Sequence, residues 1–104
     1  MRPATRILIV DDEPNARTAL SELLRDEGYE VASAGDGPTA QARLDEFHPD
    51  VVLTDAQVPA PVGAPAVVLM SVRPRPPGSA APFVGKPIDI DQLLRTVEGA
   101  LRHR

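Results

Sequence analysis

The chain has no cysteine among its 104 residues. Disulfide staples and thiolate metal sites are therefore excluded, and the composition is compatible with a reducing compartment. Aromatic residues make up only 3%, so the core has to be aliphatic. Lysine occurs once, at position 86, against ten arginines. Positive charge is not in excess either: the net charge is −4, which argues against direct binding of nucleic acid or an anionic membrane surface. No apolar run is long enough to span a bilayer, and the first strand starts too early for a signal peptide to be expected. The expected location is the cytoplasm. Without internal repeats, and with 42% hydrophobic residues, the expectation is a single domain over 1–104 with one modest core.

What is present begins with Ile7-Leu8-Ile9-Val10-Asp11-Asp12-Glu13-Pro14. Four large aliphatic residues in a row suit a strand buried on both faces, and Pro14 suits the first turn of a following helix. The strand thus delivers Asp11 and Asp12 to its C-terminal edge, where open parallel sheets bind ligands. Taken alone, these acids are explained slightly better as helix caps. A second strand, Val51-Val52-Leu53-Thr54-Asp55, also ends in an acid. If the two are neighbours, three carboxylates crowd one spot, and like charges that close call for a compensating cation. An all-oxygen site of this kind suits Mg²⁺ or another divalent ion.

The rest of the chain alternates. Ala16, Ala19, Leu20, Leu23 and Leu24 fall at helical spacing, with Arg17, Glu22, Arg25 and Asp26 on the opposite side, and Gly28 closes that helix. A short strand over 29–33 follows. A second helix starts at Asp36-Gly37-Pro38, buries Ala40, Leu44 and Phe47, and ends at His48-Pro49. Strand, helix, strand, helix, strand with short connections predicts a parallel α/β sheet with right-handed crossovers. Ala66–Met70 is a fourth strand ending at Ser71, and Pro82–Val84 a fifth ending at Gly85-Lys86-Pro87. The final helix starts near Asp89 or Asp91 and places Ile90, Leu93, Leu94, Val97 and Leu101 on one face. His48 and His103 fall at a loop and a terminus, without a partner pattern.

In this order the segments ILIVDDEP, PDVVLTD, VVLMS and FVGKP resemble the receiver domain of two-component response regulators. The resemblance implies a flavodoxin-like, doubly wound five-stranded parallel sheet of order 2-1-3-4-5. It makes Asp55 the phosphoacceptor. Asp12 and Asp55 would hold Mg²⁺ directly, Asp11 mostly through water, and the backbone carbonyl of Gln57 would complete the set. Ser71 and Lys86 would contact the phosphoryl oxygens, Ser71 and Phe83 would act as the switch, and Pro87 would follow a cis bond. The chemistry agrees, since phosphoryl transfer to a carboxylate needs a metal and fixed positive charge. The plain alternatives are a surface lysine beside a turn and a loop serine; each is fair alone, and together they are poor.

The departure from the family lies in the middle. Residues 59–87 hold eight of the twelve prolines. The gaps Ala56–Pro65 and Val72–Ala81 are too short and too proline-rich for three-turn helices, since an interior proline costs about 3 kcal/mol. Helices are therefore expected only after strands 1, 2 and 5, with the Pro-rich shortened connections over 58–82. Strands at 51–54, 67–70 and 82–84 then lack helical cover on one face, to which either Val67 and Leu69 or Val68 and Met70 point. A second copy or a protein partner is expected there.

The leading function is a stand-alone phosphoacceptor, not an enzyme, charged by a histidine kinase or phosphotransfer protein and signalling through a changed surface. The alternative is a receiver-derived scaffold that binds whether phosphorylated or not. A haloacid-dehalogenase-type hydrolase is set aside because Gln57 stands where that family has a second Asp.

Overall fold

Four consecutive side chains of the first strand, Ile7, Leu8, Ile9 and Val10, are entirely buried, as a strand covered on both faces requires. In the computed structural model, which describes residues 4–55, 58, 60–71 and 82–102, this strand is β1 (Arg6–Val10). It is followed by α1 (Pro14–Asp26), β2 (Glu30–Ala34), α2 (Gly37–Phe47), β3 (Val51–Asp55), β4 (Val67–Ser71), β5 (Phe83–Gly85) and α3 (Ile90–Arg102). The five strands are parallel, in the order β2-β1-β3-β4-β5. The expected doubly wound sheet is what forms, with three helices among the described residues.

Each helix start carries its own chemical signal. Glu13 caps α1 by accepting from Asn15 N and Ala16 N, with Pro14 in the first turn. Asp36 caps α2 by accepting from Thr39 N at 2.7 Å. Asp89, rather than Asp91, starts α3, accepting from Asp91 N at 2.9 Å. The first two helices end as backbone sterics dictate: Gly28 follows α1 at φ +96°, and His48 closes α2 in the left-handed conformation before Pro49.

Alternation along the strands divides the core. Ile7, Ile9, Val51, Leu53, Val68, Met70 and Val84 face α1 and α3, packing on Leu20, Leu24, Leu93, Val97 and Ala100. Leu8, Val10 and Val52 face α2, with Ala40, Leu44 and Val58. Val68 and Met70 are thereby assigned to the covered face, and alternation turns Val67 and Leu69, both half-buried, to the other.

The connection between β3 and β4 contains no helix among its described residues, as its prolines predict. It supplies part of the missing cover itself, because Val58 and Ala64 pack into the α2-side cluster. Gln41 of α2 fastens it by accepting from Val62 N (2.9 Å) and donating to Val62 O (3.1 Å). The uncovered face is therefore narrower than the sequence suggests: Val52 and Thr54 are buried, and the half-buried strip runs over Val67, Leu69 and Phe83. The connection over 72–81 lies outside the described residues.

Other expectations shift. Strand boundaries move by one residue toward the C-terminus in β2, β4 and β5. In α1 the buried positions are Leu20, Ser21 and Leu24, whereas Ala19 is exposed and Leu23 is 44% exposed. Ser21 fits because its hydroxyl donates to Arg17 O within the helix (2.8 Å), and α1 sits over the sheet centre on a narrower stripe than its periodicity suggests. In α3, Ala100 is buried while Leu94 and Leu101 pack at the margin. Phe47 is half-buried, with the Arg6 guanidinium 5.5 Å from its ring centre.

Candidate functional site

Register brings the acids together. Val10 pairs with Thr54, so the next residues, Asp11 and Asp55, leave β1 and β3 side by side at the C-terminal edge. Side-chain oxygens of Asp11, Asp12 and Asp55 all lie within 4.8 Å of one another. Asp11 is fully buried, Asp55 is 7% exposed and Asp12 faces solvent. Donors of this kind, all carboxylate and open on one side, fit a hard divalent cation that keeps part of its water shell.

Ser71 pairs with Gly85, and Lys86 N donates to Ser71 O at 2.8 Å. That register carries the lysine ammonium across the strand ends to the acids. Lys86 Nζ donates to Asp55 Oδ2 at 2.8 Å and to Asp11 Oδ2 at 3.0 Å. Burial works against the ammonium, but the hydrogen bonds from it to Asp55 and Asp11 outweigh that and hold Lys86 above the ordinary lysine value. The compensating cation expected beside crowded carboxylates is thus partly supplied by the chain itself.

Asp11 is held at every polar atom. Its N–H donates to Ala34 O (3.1 Å), its Oδ1 accepts from Glu13 N (2.9 Å), and its carbonyl accepts from Arg17 Nη1 (2.7 Å). Asp55 closes a turn, its carbonyl accepting from Val58 N at 2.9 Å, while Thr54 Oγ1 donates to Val58 O at 3.3 Å. Ser71 is buried at the same edge, and Phe83 is half-buried in β5, pairing with Leu69. Gln57 lies outside the described residues. The Lys86–Pro87 bond is cis, as the resemblance implies.

Five of the sequence-selected residues, Asp11, Asp12, Asp55, Ser71 and Lys86, therefore meet at one edge. Sequence reasoning missed Arg17, which it placed on the solvent side of α1. It also missed an apolar depression of about 240 Å³ between Ala16, Ala19 and Leu23 of α1 and the Pro87-Ile88 segment, with Lys86 at its edge. The exposed Ala19 and Leu23 line this depression.

The family model for the response regulator receiver domain matches residues 7–80. This chain belongs to that family. It is the receiver domain of a two-component response regulator, a signalling fold whose members interact with histidine kinases or phosphotransfer partners. Among curated relatives, it is 38% identical to the transcriptional regulatory protein PdtaR of Mycobacterium tuberculosis over 117 aligned positions, covering 92% of this chain and 56% of that protein. It is 35% identical to the regulatory protein AtoC of Escherichia coli over 121 positions, covering 98% of this chain and 26% of that protein. The chain thus spans 56% or less of these relatives' lengths. Both alignments exceed the chain's 104 residues, so these relatives carry residues that it lacks. Among solved structures, the receiver domain of the hybrid histidine kinase CckA superposes with a TM-score of 0.75 at 31% identity, covering 92% of this chain and 98% of that one. The chemotaxis protein CheY4 of Vibrio cholerae gives 0.79 at 25% identity, covering 94% and 99%. None of the described helices is long and apolar enough to cross a membrane.

Proposed function

We propose that this receiver accepts a phosphoryl group on Asp55 from a histidine kinase or phosphotransfer protein, with a divalent cation such as Mg²⁺ held by Asp11, Asp12 and Asp55. The observation that carries this is the Lys86 ammonium seated between Asp55 and Asp11 beside an open carboxylate trio. An Asp55 oxygen attacks the donor's phosphorus, the donor's P–N bond breaks, and an acyl phosphate forms while the imidazole leaves. The bound cation would offset charge on the carboxylates and the incoming phosphoryl oxygens. Lys86 is poised to exchange its Asp55 contact for a phosphoryl oxygen, and Ser71 supplies a hydroxyl from the adjoining strand end. Phe83, half-buried on β5 two positions before Gly85, is the aromatic group that would register the change.

Incubation with Mg²⁺ and a small-molecule phosphodonor, followed by intact-mass measurement, tests the reaction. One phosphoryl adduct is expected in the parent and none in Asp55→Asn. An adduct that persists in Asp55→Asn, or none in the parent under any donor and metal condition, defeats the proposal.

The alternative, a module that binds a partner or a second copy regardless of phosphorylation, is favoured by one observation: the strip of Val67, Leu69 and Phe83 has no helical cover among the described residues. Light scattering across a concentration series, with and without the phosphodonor, separates the two. Association that ignores the donor supports the module.

A further inference from the structure

Arg17 connects three segments that meet at the acidic edge. It is half-buried in the first turns of α1, and its Nη1 donates to the carbonyl of Asp11 at 2.7 Å. Asp11 has no exposed surface and lies one residue past the end of β1, so this carbonyl is out of reach of water and beyond the strand ladder. A buried carbonyl in that position needs a donor, and a guanidinium makes a charge-assisted one. The same peptide unit joins Asp11 to Asp12. Arg17 holds its carbonyl, and the preceding peptide unit is held by its Asp11 N–H, which donates to Ala34 O at 3.1 Å.

The third segment is the loop between β2 and α2. A Cβ placed on Gly35 would lie 2.8 Å from Arg17 Nη1 and 3.4 Å from its Cζ, with no other group closer. The Gly35 backbone is not in the left-handed region, so a side chain is disfavoured there by space rather than conformation. That space is filled by the guanidinium.

Building on the phosphoacceptor reading, we infer that Arg17 is a positioning residue. It fixes the Asp11–Asp12 peptide so that both carboxylates and Asp55 converge on one cation, and Gly35 provides the slot that admits it. Two physical effects of removing Arg17 oppose each other. Losing a nearby positive charge favours cation binding. Losing an outer-shell partner of a ligating residue weakens binding, typically 10- to 100-fold. A positioning role means that the second effect wins.

The test is titration of the full chain with Mn²⁺ alone, read by the loss of the free-ion electron paramagnetic resonance signal. Arg17→Met and Gly35→Ala are each expected to weaken Mn²⁺ binding by about tenfold. The double variant should be no weaker than Arg17→Met, because Gly35→Ala acts only by displacing the guanidinium. Arg17→Lys, which restores a charged donor, should recover part of the loss. Gly37→Ala, two residues along and with open space around the added Cβ, should bind as the parent does.

Melting temperatures in EDTA should change little, since the clash at Gly35 is with the flexible tip of a side chain. If Arg17→Met does not fold, the contrast between Gly35→Ala and Gly37→Ala decides. Arg17→Met and Gly35→Ala variants that bind Mn²⁺ as tightly as the parent, or losses that add in the double variant, overturn the inference alone. A parent that binds no Mn²⁺ overturns the phosphoacceptor reading and the inference together.

Discussion

Residues 6–55 and residues 58–102 build the two halves of the sheet by different means. In the first half a helix follows each of β1 and β2, and α1 and α2 cover opposite faces. β3 is buried at all five positions and β1 at four of five. In the second half α3 is the single helix among the described residues, and half-buried positions interrupt the buried ones in β4 and β5, at Val67, Leu69, Phe83 and Gly85. The difference shows how little of a doubly wound fold needs its helices. One helix and a tethered proline-rich connection hold the same parallel register. The site straddles the seam: the carboxylates Asp11, Asp12 and Asp55 come from the densely covered half, and Ser71 and Lys86 from the thinly covered one. Under the proposed function, the carboxylates that would hold the cation come from the side with helices on both faces, and Ser71 and Lys86 from the side with α3 alone among the described residues.

The largest expected effect tests the contrast directly. Leu53, fully buried in the core on the α1 and α3 side of the sheet, should cost about 3–4 kcal/mol on truncation to Ala, counting the cavity it leaves. Leu69, half-buried on the opposite face of β4, should cost about 1 kcal/mol, the transfer contribution of partial burial. Urea unfolding of the two variants measures both. Equal losses would mean that β4 is as well covered as β3, and the contrast would fail.

A middle-sized effect lies at the seam. Lys86→Met strands two carboxylates that now share one ammonium. The side chain is 19% exposed, so water relieves part of the loss and about 1–3 kcal/mol is expected in EDTA. Mg²⁺ should return some of it by mass action, making stability depend more steeply on the ion than in the parent. The pH dependence has a defined sign. Lys86 is held above its ordinary value in the folded state, so its contribution is complete below the unfolded lysine value, about 10.4. It fades as pH rises through the higher folded value. The stability gap between parent and Lys86→Met should therefore be flat from neutrality to about pH 10 and close only above it. A gap that closes near neutrality would show that the ammonium is not what holds the pair.

Much of this was legible in the chain because four of the five strands, β1, β3, β4 and β5, are apolar segments that stop at Asp, Ser or Gly-Lys. Those endings picked out the residues that the register then brings to one edge. What local sequence could not carry depends on distant partners. Arg17 sits opposite the apolar stripe of α1 and looks solvated until the loop at Gly35 folds against it. Alternation left two choices for β4, and the pairing of Leu53 with Val68 settles which side chains reach α3. Val58 and Ala64 sit in a proline-rich stretch that reads as a loop, yet both pack into the core once Gln41 fastens the connection. Leu23 fits the helical period and is nonetheless exposed, because α1 turns that edge toward the depression beside Pro87.

The smallest expected effect would strengthen the weaker half and so narrow the contrast. Gly99 lies inside α3, where a Cβ built on it meets nothing within 4 Å. Its backbone is helical, so alanine fits without strain, and the gain comes from fewer conformations in the unfolded chain. Gly99→Ala should stabilise the protein by about 0.5–1 kcal/mol. The more telling readout is where the gain appears. If α3 opens independently of the first half, amide exchange should slow in α3, β4 and β5 while α1 and α2 keep their rates. If instead all amides slow together, the two halves unfold as one unit, and β4 and β5 have no separate dynamics.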